Sequence, residues 1–430
     1  MLVDRSLKPQ ETESRSLRIL VCGGGIAGPA LAYWLARNGN RVVVVERFPA
    51  LRATGAQVDL RGQGIAAAKR MGLIGAIQSK LVDEAGVSFV DSRGRTKATI
   101  MANRSGRGAQ SLTSECEIMR GDLVRILYDA TKDDVGYVFG KTVERFEQDD
   151  HTVLAHFSDG TSDTFDLLVG ADGQGSRIRK DILPSDAGDP CLRMGIHMAY
   201  WFIPRTPADD GNLRNTYLAP GGRMIMRRSH NLTETQVYFV LRESSEKASA
   251  IHRAPLDQQK RFWIERFQDA GWQIDRFIQG MMTTPNFYSQ EVVQVRTGTW
   301  YKGRVVLVGD AAHCASPFSG MGVSGSLVGA YVLAGKINRN KANLARAFAL
   351  CDKTLRPFVN EIQNVNTSLL RLGMPKSRFG ISVFLALTGL AARLRIPDLV
   401  ARLSPDDRDG GWRLPDYADP NPAHQTMQLG

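Results

Sequence analysis

Between Leu17 and Glu46 the chain reads LRILVCGGGIAGPALAYWLARNGNRVVVVE, and this stretch constrains the fold more than any other. The apolar run LRILVC has the texture of a buried strand, GPALAYWLARNG reads as a helix, and VVVVE is a second strand ending on Glu46. Between the first strand and the helix, Gly23, Gly25 and Gly28 stand in the G-x-G-x-x-G pattern. A strand, glycine turn, helix and strand at this spacing predict a βαβ unit opening a Rossmann-like sheet. Glycine there lets the backbone approach a pyrophosphate, whose charge the helix N-terminus stabilises. An acid about 20 residues on accepts hydrogen bonds from ribose hydroxyls and disfavours a 2'-phosphate. The tightly held nucleotide is therefore expected to be FAD or NAD rather than NADP. Its candidate contacts are Gly23, Gly25, Gly28, Glu46 and the adjacent Arg47. The alternative is a bare strand–turn–helix connection with no ligand.

Two later segments repeat the texture of an apolar strand running into a glycine-rich loop. DLLVGADGQGSRIRK carries Asp172, Gly173, Ser176 and Arg179. RVVLVGDAAHCASPFSGMG carries Asp310 directly after a strand, then Pro317, Gly320 and Gly322 before a helix. Neither holds a metal-ligand cluster or a nucleophile paired with a base. A lone carboxylate at a strand end suits a chain of sugar-like hydroxyls, such as a flavin's ribityl. The helix N-terminus that follows can stabilise negative charge at one edge of a flavin ring.

The surrounding sequence sets the frame. At 430 residues, 43% of them hydrophobic, the chain suits two joined domains of a globular protein. The excess of 55 Lys+Arg over 44 Asp+Glu is compatible with a phosphate-bearing cofactor, an anionic surface or nucleic acid. No arginine-rich tract or zinc-finger spacing supports nucleic acid. Five cysteines without a C-x-x-C pair argue against a disulfide framework or zinc site, so a reducing, cytoplasmic home is expected. FGISVFLALTGLAA, from Phe379 to Ala392, falls short of the roughly 20 residues of a membrane span, so a buried or interface-covering helix is expected rather than membrane contact.

Along the chain the texture divides as follows: a polar tail at 1–16, a first part of the FAD-binding domain with small inserted strands at 17–185, and a β-sheet substrate domain at 186–295. The second part of the FAD-binding domain follows at 296–345, then C-terminal helices at 346–405 and a tail at 406–430. The predicted fold class is α/β, with a discontinuous Rossmann-like FAD-binding domain, a β-sheet substrate domain and C-terminal helices.

The three motifs in this order, GxGxxG, ADGxxSxxR and GDAAHxxxPxxGxG, resemble the FAD-dependent aromatic hydroxylase family, single-component flavin monooxygenases of the para-hydroxybenzoate hydroxylase fold. The resemblance covers roughly residues 17 to 360. ATGAQVDLRG, EIMRGDLVRIL, SPFSGMG, VGAYVLAGKI and RPFV are most similar to the tetracycline-inactivating and polyketide monooxygenase branch. It implies FAD as cofactor and NADPH as reductant. It also implies transfer of one oxygen atom from O2, through a flavin C4a-hydroperoxide, to an aromatic, phenolic or enolic substrate, polyketide-like in this branch. By motif, Glu46 would bind the FAD ribose and Asp59 would face the flavin or its ribityl. Arg120 would contact the pyrophosphate or ribityl region, Asp310 would hold the ribityl, and the backbone of Gly322 and Val323 would meet the ring. Arg52 matches a position linked with NADPH, and Asp172 and Arg179 would organise their loop. Met321, Ser324 and Gly329 depart from the family pattern, which has two amides and an acid at those places.

Substrate contacts are expected on the second domain's sheet, with His197 in GIHMAYWF and Arg223 in PGGRMIM as candidates for polarising a carbonyl or favouring an enolate. His313 reads as structural, and Tyr200, Trp201, Phe202 and Tyr217 as core. Two rival functions remain at this point. A flavin-dependent halogenase is represented only by the W-x-I-P within YWFIP, and a flavin-holding binding protein would show no turnover.

Overall fold

The computed structural model describes residues 16–52, 55–103, 116–207, 211–396 and 411–417. Most of the two expected tails, together with residues 397–405 of the expected C-terminal helices, lies outside them. The N-terminal βαβ unit forms as its sequence predicts. Strand Arg18–Cys22 is parallel to Arg41–Glu46, with Val21 opposite Val44, and helix Ala27–Ala36 bridges them. Strand Leu167–Gly170 pairs on the other side of Arg18–Cys22, and Val305–Leu307 pairs with Leu167–Gly170. The resulting six-stranded sheet therefore lays its three glycine-rich loops side by side at the same strand ends. In a parallel sheet that edge is where ligands bind.

A seven-stranded sheet stands against this unit. It runs in the order Tyr288–Val295, Cys191–Pro204, Glu234–Arg242, Arg223–Ser229, Leu213–Ala219, Gly86–Val90, Thr96–Met101. The last two strands come from outside 186–295: Gly86–Val90 adds parallel to Leu213–Ala219. One face of the sheet packs on helices Leu256–Phe267 and Ile274–Thr283 through Trp201, Phe239, Trp263, Phe267 and Phe277. The second of these helices was not expected; its Ile274, Phe277 and Met281 fall at i, i+3 and i+7, a helical stripe hidden among turn-like residues. The opposite face carries Met198, Met224, Met226 and Val240 toward Phe318, Leu370 and Met374.

Helix Gly322–Arg339 is enclosed by helices Ala27–Ala36 and Leu344–Ile362, and its small residues allow close approach. At Gly335 a Cβ would lie 2.4 Å from the Tyr417 ring, so glycine makes the seat for a returning C-terminal segment. Helix Arg378–Arg393 lies along Thr96–Met101, with Phe384 and Leu385 against Val87, Phe89 and Ala98. Of the expected buried or interface-covering helix at Phe379–Ala392, burial is corrected: Ile381 is its buried residue, while Phe379, Leu387 and Leu390 are exposed.

Candidate active site

The first glycine loop has no room for side chains. Gly23 has φ +122°, and a Cβ there would meet the Ala171 carbonyl at 2.3 Å; one at Gly28 would meet the Gly23 carbonyl at 2.0 Å. Glu46 closes the loop from the next strand. Its Oε2 accepts the Gly24 N–H at 2.8 Å and its Oε1 the Phe48 N–H at 3.1 Å. Arg47 and Arg52 both lie over the Phe48 ring, and Arg52 also lies 5.1 Å from the centre of the Tyr288 ring.

Arg120 begins the helix Arg120–Asp129 and threads between two glycines. Its Nη2 is 3.3 Å from where a Gly25 Cβ would stand, and its side-chain carbons are 2.9–3.3 Å from a Gly55 Cβ. The same guanidinium lowers the proton affinity of Asp310, which burial raises more strongly; the Cys314 thiol also hydrogen-bonds the carboxylate. Asp310 is aimed by Gly309, whose φ of +63° and 2.6 Å approach to the Ala27 Cβ exclude other residues. Two glutamines hold the loop that follows. Gln294 Nε2 donates to the Ala315 and Gln363 carbonyls, and Gln363 Nε2 donates to those of Val295 and Cys314.

Gly320 (φ +64°) turns the chain next to Asp59, whose Oδ2 is 2.9 Å from the site of a Cβ. Asp59 pairs with Arg61 at 2.8 Å; burial pushes its carboxyl up and Arg61 pulls it back. The backbone then enters the helix at Gly322, with open space beside it, and Val323 is buried. In the middle loop, Asp172 accepts the Arg177 N–H at 2.8 Å, and Arg179 donates to the carbonyls of Ala311 and Gln174. Asp172 closes its own loop, and Arg179 ties that loop to the one after Asp310. Between these elements lies a cradle with glycine backbone at one end, a half-buried carboxylate with no direct salt bridge among the described residues at the other, and one arginine between. This donor set fits a dinucleotide carrying a polyol chain.

The sheet above the cradle overturns two expectations. His197 and Arg223 share the parity of Ala199, Trp201 and Ile225, so both face the helices rather than the cradle. His197 Nε2 donates to the Glu243 carbonyl at 2.8 Å, and its Nδ1 accepts from His252 Nε2 at 2.9 Å. Arg223 pairs with Asp269 and donates to the carbonyls of Pro220 and Arg266. The face turned to the cradle instead bears Tyr200, packed on Tyr238 at 5.6 Å and on Tyr288 at 5.1 Å, with Met198, Met224 and Met226 on the same face. Arg228 on this face is neutralised by Glu84, at 2.8 Å, and by Glu117. The signal for the correct face was strand parity: Trp201 and Phe239 needed the apolar stripe of Leu256–Phe267, and His197 goes with them. Of the aromatics read as core, Trp201 and Tyr217 are core, while Tyr200 faces the cradle. His313 is buried against Trp300, and its proton affinity is pushed down to about 4 by burial. Its Nε2 has no hydrogen-bond partner among the described residues and stands 3.1 Å from where a Gly329 Cβ would be.

Fold and site together define a flavoprotein in which a dinucleotide cradle is roofed by a β-sheet. Residues 16–341 match the family model of the FAD binding domain, and the chain belongs to that family of FAD-dependent monooxygenases of the aromatic hydroxylase type. It is 37% identical over 427 residues to the FAD-dependent monooxygenase asL4 of Sarocladium schorii, covering 94% of this chain and 98% of that protein. It is 38% identical over 424 residues to the flavin-dependent monooxygenase eupH of a Phoma species, again covering 94% and 98%. Among solved structures, tetracycline destructase Tet(51) superposes with a TM-score of 0.77 at 32% identity, covering 94% of this chain and 100% of that one.

Proposed function

We propose that this monooxygenase takes electrons from NADPH and places one oxygen atom from O2 on an aromatic, phenolic or enolic small molecule of polyketide-like character. The single observation that carries the reading is the convergence of Gly25, Arg120 and Asp310 on one cradle beneath a face of tyrosines and methionines. When bound, FAD supplies the activation of O2 and the transfer of oxygen.

The chain's own residues bind, orient and exclude water. Glu46 receives the ribose hydroxyls, the Gly23–Gly28 backbone and Arg120 meet the pyrophosphate, and Asp310 with Asp59 orients the ribityl side. The Gly322 and Val323 amides, at the start of a long helix, favour negative charge at the ring edge. Arg52, with Arg47 beside it, is an accessible cation for the phosphate of a passing nicotinamide nucleotide. Tyr200, whose phenol burial keeps protonated, donates a hydrogen bond to a substrate oxygen. Arg228 is already neutralised by Glu84 and Glu117, so it is not the residue that would meet a substrate carboxylate. The relatives named as monooxygenases support the oxygen transfer, and the structural likeness to a tetracycline destructase supports a bulky polycyclic substrate. The test is NADPH consumption by FAD-loaded enzyme across candidate phenols and enols, with product mass measured. Stimulated consumption and a gain of one oxygen atom are expected. Turnover that requires halide, or none with any candidate, would contradict the reading.

A further inference from the structure

Thirteen large apolar side chains are exposed on the described surface, and seven of them fall between Leu372 and Ile396. Five form a stripe along helix Arg378–Arg393 and its end: Phe379, Val383, Leu387, Leu390 and Leu394, exposed by 79%, 40%, 62%, 54% and 63%. Their spacing of four, four, three and four confines them to an arc of about 80° on the helix. The opposite side of the helix is already used, because Phe384 and Leu385 sit on the sheet. The stripe is thus a second apolar face, contiguous and turned outward.

Its electrostatic setting is one-sided. From Ile362 to Pro397 the sequence has no Asp or Glu but contains Arg371, Lys376, Arg378, Arg393 and Arg395. Arg371, Lys376, Arg378 and Arg393 are exposed. An apolar stripe with cations at both ends is complementary to a surface that is apolar within and anionic at its boundary. A second copy of the chain would bring two such cationic segments together with no acid of the segment to compensate, which disfavours a homodimer at this face. No helix among the described residues is long and apolar enough to cross a bilayer, so the helix would lie in the interface plane.

We propose that the outer face of helix Arg378–Arg393 docks on anionic lipid. The inference is independent of the substrate reading. It runs against the expectation of a buried or interface-covering helix in preference to membrane contact. Purified FAD-loaded enzyme should float with vesicles of phosphatidylcholine and phosphatidylglycerol and not with phosphatidylcholine alone. The double variants Leu387→Ser/Leu390→Ser and Arg378→Gln/Arg393→Gln should each weaken binding about tenfold or more, with FAD content unchanged. No flotation, or equal flotation with both vesicle types, would overturn the proposal. So would a dimer that the leucine variant converts to monomer, which would assign the face to a second copy.

Discussion

Ser324 and Arg61 hold each other twice: the Ser324 hydroxyl accepts the Arg61 N–H at 2.9 Å and donates to the Arg61 carbonyl at 3.0 Å. The pair fastens the first turn of helix Gly322–Arg339 to the segment that follows Asp59. A Cβ at Gly64 would come within 2.5 Å of the same hydroxyl, so serine and glycine are sized for each other. The departure from the family pattern at 324 is thus a local repacking that keeps the cradle's two sides together. Ser324→Ala leaves the Arg61 N–H without this acceptor, while the Arg61 carbonyl keeps the Gly64 N–H at 2.9 Å, and is expected to cost about 1–3 kcal/mol. Chemical denaturation should show that loss, with weaker FAD retention; unchanged stability would contradict the pairing.

The two faces of the seven-stranded sheet make opposite predictions. Arg223→Gln removes the ion pair with exposed Asp269 and donors to the Pro220 and Arg266 carbonyls on the helix side; it should lower stability by about 1–3 kcal/mol and leave kcat/KM unchanged. Met226→Gln, on the cradle side, should raise KM several-fold with little change in thermal midpoint, because it adds an amide to an apolar wall. Steady-state kinetics of both variants decide it, and a large loss of kcat/KM in the Arg223 variant would contradict the facing described here.

Acid should destabilise the protein through its buried imidazoles. His252 is pushed down to about 3 and His313 to about 4, and His197 is also lowered, all mainly by burial. Each folded-state value lies below the unfolded value of about 6.5, so the unfolded chain binds more protons between the two. The stability these groups contribute is intact above about pH 6.5 and falls as pH drops toward 4. The slope is at most about 1.4 kcal/mol per pH unit for each histidine, and less at the half-buried His252, where solvent screens. Denaturation midpoints across that range should fall, and His252→Gln should flatten the slope. A flat profile in the wild type would contradict the neutral His197–His252 pair.

Gly309→Ala tests how Asp310 is aimed. The added methyl meets the Ala27 Cβ at 2.6 Å in a left-handed backbone, so the strand end or the first helix must move. FAD content after purification should drop by more than half. Full occupancy would show that the close contact is dispensable.

Most of the cradle was legible because its chemistry is written in glycines and carboxylates at fixed offsets. Gly23, Gly28, Glu46, Asp310 and Gly322 are local features of strand–turn–helix units, and the parallel pairing of Arg18–Cys22 with Leu167–Gly170 brings their loops together. What could not be read locally was which side of a strand meets which neighbour. His197 is a polar residue in an apolar strand either way; its position opposite Leu241 and Glu291, and beneath His252, depends on pairings with strands and a helix tens of residues distant. Phe379–Ala392 shows the converse. Its apolar content predicted a buried or interface-covering helix, and the sheet covers one side of a helix that is apolar on two.

The most direct measurement is the FAD dissociation constant of Asp310→Ala beside wild type, by fluorescence quenching of the apoprotein, with circular dichroism to check that both are folded. Loss of a carboxylate hydrogen-bonded to the ribityl chain should weaken binding about tenfold or more. A folded Asp310→Ala protein that binds FAD as tightly as wild type would contradict the assignment of this carboxylate, and with it the cradle built around Arg120.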